Sequence, residues 1–505
     1  MAAVAALALG AGAALRADDQ RLALRLWVLR LPGDVLSVAP ADMDADGDLD
    51  LVVAHGSPTG RQVSVFLQGG LGERFADAPA WRWAVPSDAC AVVAGDLDPR
   101  PGGEVLFLSP RRLVLGHDRG KLRALAELAT FFDYPEENAL PVYDLVWDLD
   151  GDGLVEVAVP TKEGYTLLRR QAETSLAAGG AVAVPSKLQF GPSFETILLD
   201  RFLTATSRLR RLSAADLDGD GRLDLVAYRD KGVARFLQGE DGSFPERPVA
   251  MTPLATLSGA RAGAGGSEGF DNVQIALDDV DRDGVIDLVV TRTEGELGVF
   301  ETLRTQQRIH RGRPGAAGAE WDEARPDVAI NLKGVTDEPL LIDWDGDGRR
   351  DLILSTYRMD MFSNLQRAVT DSLTITYLIF RQRDRAAAEG LFGEEPDFTL
   401  DVEVPLDVLQ RRGGHKAALF DPDFDGDGVR DRVERTPSGE LRVVMGRVLD
   451  GEVGFAEEAP IELTVGRTEP PRVIDLDGDG RDELLLEPFA GSALRRTVRV
   501  VGVAR

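Results

Sequence analysis

DLDGDGRLD, from Asp216 to Asp224, sets carboxylates at its first, third, fifth and ninth positions and glycine at its sixth. Asp216, Asp218 and Asp220 alternate, and that much like charge does not crowd together without a cation among it. Gly221 permits the positive φ with which a backbone turns sharply around an ion. One such loop is a weak motif, because Asp and Gly also make ordinary turns.

The loop recurs. The same pattern begins at Asp42 (DMDADGDLD), Asp148 (DLDGDGLVE), Asp279 (DVDRDGVID), Asp343 (DWDGDGRRD), Asp423 (DFDGDGVRD) and Asp475 (DLDGDGRDE), and a degenerate copy, DLDPRPGGE, begins at Asp96. Eight copies between 42 and 475, spaced by about 62 residues, mark a solenoid, a propeller or an array. Hard oxygen donors, a glycine and a later carboxylate suit Ca²⁺, as in the first half of an EF-hand loop. The fourth acid arrives at position 9 instead of 12, which excludes the EF-hand itself.

Outside the loops the chain reads as short strands. Val35 to Ala39 enters the first loop, Leu51 to Ala54 leaves it, Gln62 to Leu67 alternates apolar and polar residues, and Trp81 to Val85 follows. The second unit repeats this with Cys90–Ala94, Val105–Leu108, Arg112–Leu115 and a fourth segment near Leu122–Phe132, and the unit of Asp216 with Leu212–Ala215, Leu225–Tyr228 and Val233–Leu237. Small residues in the entry strands, such as Ser213, Ala214 and Ala215, suit a strand crowded near a central channel. Four short antiparallel strands per repeat, without long helices, describe propeller blades. The expected fold is all-β: a β-propeller of eight four-stranded blades, with seven blades as the alternative. Separate calcium-binding hairpins are disfavoured, because two-stranded hairpins are marginal alone.

Closure is also legible. After the last loop only Glu483–Leu486 and Arg496–Val503 remain, so that blade lacks a fourth strand. Leu22–Leu31, an orphan strand ahead of the first unit, is its natural donor, and the swap removes open sheet edges. Ser258–Gly269, Arg308–Pro326 and the longest stretch, Tyr357–Lys416, read as surface insertions, the last a candidate for a binding role. Residues 1–17 read as a signal peptide without the usual basic start, and 18–505 as one propeller domain.

The repeated loops resemble those of FG-GAP/VCBS repeat proteins, including the integrin α-subunit propellers, over about residues 22–505. The resemblance implies Ca²⁺ held at one face of a propeller by side chains at loop positions 1, 3, 5 and 9 and a carbonyl at 7. Carried onto this chain, the ligands are Asp42, Asp44, Asp46 and Asp50; Asp148, Asp150, Asp152 and Glu156; Asp216, Asp218, Asp220 and Asp224; Asp279, Asp281, Asp283 and Asp287; Asp343, Asp345, Asp347 and Asp351; Asp423, Asp425, Asp427 and Asp431; and Asp475, Asp477, Asp479 and Glu483. The Phe-Gly and Gly-Ala-Pro motifs that name the family hold no fixed place here. Integrin propellers have seven blades, so their ligand-binding sites do not transfer. In the copy at Asp96, Arg100 and Pro101 occupy positions 5 and 6; a cation faces the ion and proline denies the positive φ, so this loop is expected to be metal-free.

Lys+Arg 57 against Asp+Glu 85 leaves a net charge of −28, and the eight loops supply 31 of the acids at ligand positions alone. Nucleic acid and anionic membranes are poor partners for such a field. No segment is long and apolar enough to span a bilayer, and the chain reads as a secreted, periplasmic or cell-surface monomer. Seven Ca²⁺ would cancel 14 of the 28 ligand charges in the intact loops and pin each turn, a structural role. Cys90 is alone and sits in an apolar run; it reads as a small buried residue. His55, His117, His310 and His415 are scattered, and neither a nucleophile elbow nor a phosphate-binding loop is present. The expected function is a non-enzymatic binding or adhesion module for a protein or carbohydrate, with a structural envelope protein and a calcium-dependent polysaccharide lyase as alternatives. A cluster of Lys, Arg and His at the channel mouth would favour the lyase, an aromatic rim the binding module.

Overall fold

Seven of the eight acidic loops, all but the one at Asp423, close a hairpin in one fixed register. The residue before position 1 pairs with position 9 at Ala41–Asp50, Gly95–Glu104, Trp147–Glu156, Ala215–Asp224, Asp278–Asp287, Ile342–Asp351 and Ile474–Glu483. In these seven, position 9 is therefore the first residue of the second strand, and at Asp423 the strand starts one residue later, at Arg432. The computed structural model describes residues 22–503 apart from 70–73, 99, 133–134, 162–163, 169–185, 190–192, 200–201, 209–210, 230–231, 254–269, 296–302, 316, 358–371, 385–389, 406–417, 437–439, 450–451, 467 and 490.

The described residues contain no helix and form eight four-stranded antiparallel blades, arranged as a β-propeller. Blade 1 runs Val35–Ala41, Asp50–Ser57, Gly60–Phe66 and Trp81–Ala84. The later blades repeat this order around the loops at 96, 148, 216, 279, 343 and 423. Blade 8 takes Arg472–Ile474, Glu483–Leu486 and Thr497–Val503 from the C-terminal end, and its fourth strand is Leu24–Arg30, paired antiparallel from Leu24–Val503 to Arg30–Thr497. The expected closure is thus present. Both faces of that strand pack: Leu24 and Leu26 meet the blade 7 side, and Trp27 and Leu29 the blade 1 side, leaving Val28 exposed.

Eight apolar clusters among the described residues fill the junctions between neighbouring blades. The second residue of each loop plugs one of them. Met43, Leu149, Leu217, Val280, Trp344, Phe424 and Leu476 are each at most 3% exposed, and Leu97 of the degenerate loop packs half-buried in the eighth cluster. Each loop therefore sets one apolar residue, its second, toward the next blade.

Three expectations need correction. Tyr357–Lys416 is not simply an insertion, because Ser372–Phe380 and Phe398–Pro405 are the third and fourth strands of blade 6; a long connection between strands hid the period. Arg308 to His310 complete a strand of blade 5, Arg304–His310, so the loop there begins at Arg311. Cys90 is half-buried, its thiol donating to the Asp88 carbonyl at 3.6 Å. The signal segment 1–17 and Ser258–Gly269 lie outside the described residues. Two extra hairpins, Ser193–Leu199 with Phe202–Arg208 and Gly446–Leu449 with Glu452–Phe455, were not foreseen.

Candidate metal centres

The seven intact loops share one backbone shape. Position 6 has positive φ in each: Gly47, Gly153, Gly221, Gly284, Gly348, Gly428 and Gly480, between 81° and 96°. Position 4 is left-handed too, which the sequence reading missed, because Ala45 and Arg282 hold it at 63° and 52° where the other loops have glycine. The two turns aim backbone N–H groups inward at the first carboxylate. Asp216 accepts from Gly219 at 2.8 Å with Oδ1 and from Gly221 at 2.8 Å with Oδ2. Asp42, Asp148 and Asp423 do the same in their loops.

Position 5 turns back on its own loop. Asp46, Asp152, Asp220, Asp283, Asp347, Asp427 and Asp479 each accept the N–H of position 7, at 2.8–3.0 Å. Position 9 is a different kind of residue. All eight of its carboxylates are at most 4% exposed, and each accepts the N–H of position 2 at 2.7–3.2 Å, the degenerate loop included. The second oxygen of Asp50, Asp224, Asp287, Asp351 and Asp431 accepts the N–H of Gln68, Gln238, Gly312, Gln382 or Gly446, just past the third strand. This acid thus ties its loop to the rest of its blade. Burial raises Asp50 and Asp224 to about 6, and Asp287, Asp351, Asp431 and Glu483 to about 7, with the neighbouring loop carboxylates adding to it.

Carboxylate oxygens converge within 4.8 Å of one another in Asp42, Asp44 and Asp50, in Asp148, Asp150 and Glu156, in Asp216, Asp218 and Asp224, in Asp279, Asp281 and Asp287, and in Asp343, Asp345 and Asp347, with two further groups alike. Four of these trios join positions 1, 3 and 9. Oδ1 of Asp343 and Oδ1 of Asp475 are buried and accept no hydrogen bond among the described residues. A hard divalent cation fits such all-oxygen sites, for anionic donors converge in each and these two buried oxygens have no hydrogen bond to satisfy them. The loop at Asp96 has different chemistry. Arg100 donates through Nε to both Asp98 oxygens at 2.8 and 3.0 Å, and reaches Asp118 at 2.8 Å. Burial pushes Asp98 up, but these guanidinium contacts outweigh it and hold the carboxyl below its ordinary range. Glu104 beneath it is raised to about 8 by burial and by Asp98.

The loops are also tied to one another. Position 8 of one loop donates its N–H to position 1 or 2 of the preceding blade's loop: Leu49 to Leu476, Gly103 to Met43, Val155 to Asp96, Arg430 to Trp344 and Asp482 to Asp423, at 2.7–3.1 Å. Side chains add to this belt, with Gln68, Gln238 and Gln382 donating to the carbonyls of Leu476, Leu149 and Val280. A repeated Phe-Leu-Gln-Gly, at Phe66–Gly69 and Phe236–Gly239, is the signal that could have revealed Gln68 and Gln238.

A second feature lies among blades 3 to 6. First strands of blades 4, 5 and 6 and the segment entering blade 3 line one cavity of about 860 Å³, which makes them inner edges. Its wall carries Phe131, Phe132, Tyr143, Tyr165 and Tyr228, with Asp144, Asp278 and Glu338 and, among the described residues, a single cation, Arg211, 3.5 Å from Glu338. Burial raises Tyr165 to about 12 and Tyr143 beyond that. His55 and His310 are buried on backbone carbonyls at 2.7 Å, far in sequence from this wall.

A family model described as the FG-GAP-like repeat matches residues 216–290, the stretch that contains the loops at Asp216 and Asp279. Over this stretch the chain is similar to that repeat family, and the match spans two of the eight loops with their flanking strands. No curated protein matches the chain. Similar solved structures include the biofilm matrix protein Bap1 of V. cholerae, at 13% identity over 94% of this chain and 88% of that one, with a TM-score of 0.29. Another is BBS1N in complex with ARL6DN, at 8% identity over 94% of each chain, with a TM-score of 0.32.

Proposed function

We propose that this FG-GAP-like propeller is an exported, monomeric binding or adhesion module, stabilised by structural Ca²⁺ in its acidic loops, that takes a carbohydrate or protein ligand at its central cavity. The aromatic wall between blades 3 and 6 carries the reading. Aromatic faces beside a few convergent polar groups suit sugar rings or an inserted side chain. Among the described residues of the wall, the one arginine is spoken for by Glu338 and there is no lysine or histidine. That composition favours binding over proton abstraction from a polyuronate. Calcium is supported by the convergent trios and by the two buried, unbonded carboxylate oxygens.

A glycan array probed in Ca²⁺ and again in EGTA tests the proposal, with Phe132→Ala as the cavity variant. Retained ligands that weaken in the variant support it. Time-dependent release of unsaturated sugars would replace it with the lyase, and self-association at millimolar Ca²⁺ without ligand would replace it with an envelope role.

A further inference from the structure

In blades 1, 4, 5 and 6 the residue just past the third strand, opposite the acidic loop, is of two kinds. The register makes the positions equivalent: position 10 pairs with Phe66, Phe236, His310 or Phe380 in blades 1, 4, 5 and 6, and the next residue is Leu67, Leu237, Arg311 or Arg381. In blades 1 and 4 this leucine packs into the apolar junction. In blades 5 and 6 the arginine instead turns onto position 3 of its own loop. Arg311 meets Asp281 at 2.5 Å and Asp283 at 4.0 Å, and Arg381 pairs with Asp345. The Asp281 and Asp345 side chains are only 2% and 1% exposed, so their charge is largely shielded from water. Loops 7 and 8 reach the same end by other routes, Arg447 on Asp425 at 2.6 Å and Arg74 of blade 1 on Asp477 at 3.1 Å.

We infer that six of the seven intact loops form two classes toward divalent cations. Loops 1 and 4 are open: no arginine among the described residues reaches the position 3 carboxylate, although Arg222 pairs with Asp220 at position 5 of loop 4. Loops 5 to 8 are each guarded by an arginine of this chain that competes for it. The counterpart residue of loop 3, 169, lies outside the described residues. The inference rests on the calcium reading above and deepens it. A guanidinium a few ångströms from the ion opposes its charge directly, and its carboxylate must be shared or surrendered before the ion is fully coordinated. The guarded loops therefore keep their turns when metal is scarce, and the open loops depend on it.

Terbium luminescence titration and equilibrium dialysis with ⁴⁵Ca on the full chain test this. The parent should show a tight and a weak class of sites. Arg311→Leu and Arg381→Leu, which install the residue blades 1 and 4 already carry, should each move one site from weak to tight, by at least ~10-fold in affinity. Leu67→Arg should move one site the other way. In EGTA, Arg311→Leu should melt below the parent, and in Ca²⁺ the gap should close; if either leucine variant fails to fold without metal, its titration starts from the Ca²⁺-loaded form and reads release. A single class of sites in the parent, or unchanged isotherms in all three variants, overturns the two-class inference while leaving calcium binding intact. A parent that takes up no calcium overturns both.

Discussion

At the residue scale, the ninth carboxylate of each loop carries two demands at once. It is buried and accepts backbone N–H groups, yet it lies within reach of acids that a cation would join. Without metal, Asp50, Asp224, Asp287, Asp351, Asp431 and Glu483 hold their protons up to about 6 or 7, because burial penalises the charged form. A folded-state pKa above the unfolded value means that the native state binds more protons between about 4 and 7. That contribution to stability is complete below the unfolded carboxylate range and is lost as pH rises through 6 to 7. Chelated protein should therefore melt at a higher temperature at pH 5 than at pH 8. Saturating Ca²⁺, which favours the ionised acids, should flatten or reverse the slope. Calorimetry at both pH values, with EGTA and with Ca²⁺, checks it. A second prediction concerns Ala45, whose φ of 63° costs an L-residue about 1 kcal/mol. Ala45→Gly should stabilise the protein by up to ~1 kcal/mol, since the loops at 148, 216, 343, 423 and 475 already use glycine there; a loss of stability in urea titration would count against the strain argument.

At the element scale, the strand Leu24–Arg30 closes the ring by hydrogen-bonding to Thr497–Val503 and by burying Leu29 and the following Leu31. Deleting residues 22–32 removes that strand and both buried leucines, an expected cost of at least about 3 kcal/mol. It also bares the edge of blade 8 to intermolecular pairing. A lower melting temperature and a shift to oligomers in light scattering are the expected results. The second element is the hairpin Gly446–Leu449 with Glu452–Phe455, which drives Phe455 between blades 6 and 7. There the ring lies 5.9 Å from Trp344, 5.9 Å from Phe398 and 6.0 Å from Phe420. Phe455→Ala should cost about 3–5 kcal/mol through the cavity it leaves, read as a shifted denaturation midpoint with unchanged slope.

At the scale of the whole molecule, the loops form a belt, each bonded to the one before it by the N–H of position 8 at five junctions among the described residues. A metal lost from one loop thus loosens the carbonyls that the next loop holds. Chelation should lower the melting temperature of the entire propeller by at least about 5 °C as one cooperative transition. A separate early transition for one blade would instead show that the blades melt independently.

Much of this was legible in the chain. The eight repeats, the glycine at position 6, the strands flanking each loop and the orphan strand Leu22–Leu31 could be read because they depend on local φ/ψ, period-2 patterning and a count of strands. The strands within Tyr357–Lys416 could not, since a long connection breaks the period that identified the others. The sequence by itself determined the architecture and which acids cluster, because each loop is nine contiguous residues whose turns decide their own geometry. Only the tertiary structure decided which loops carry an arginine, that position 9 anchors its blade, and that aromatic residues from separate blades share one cavity. Those facts depend on residues brought together across strands and blade junctions, where no spacing in the chain records the distance.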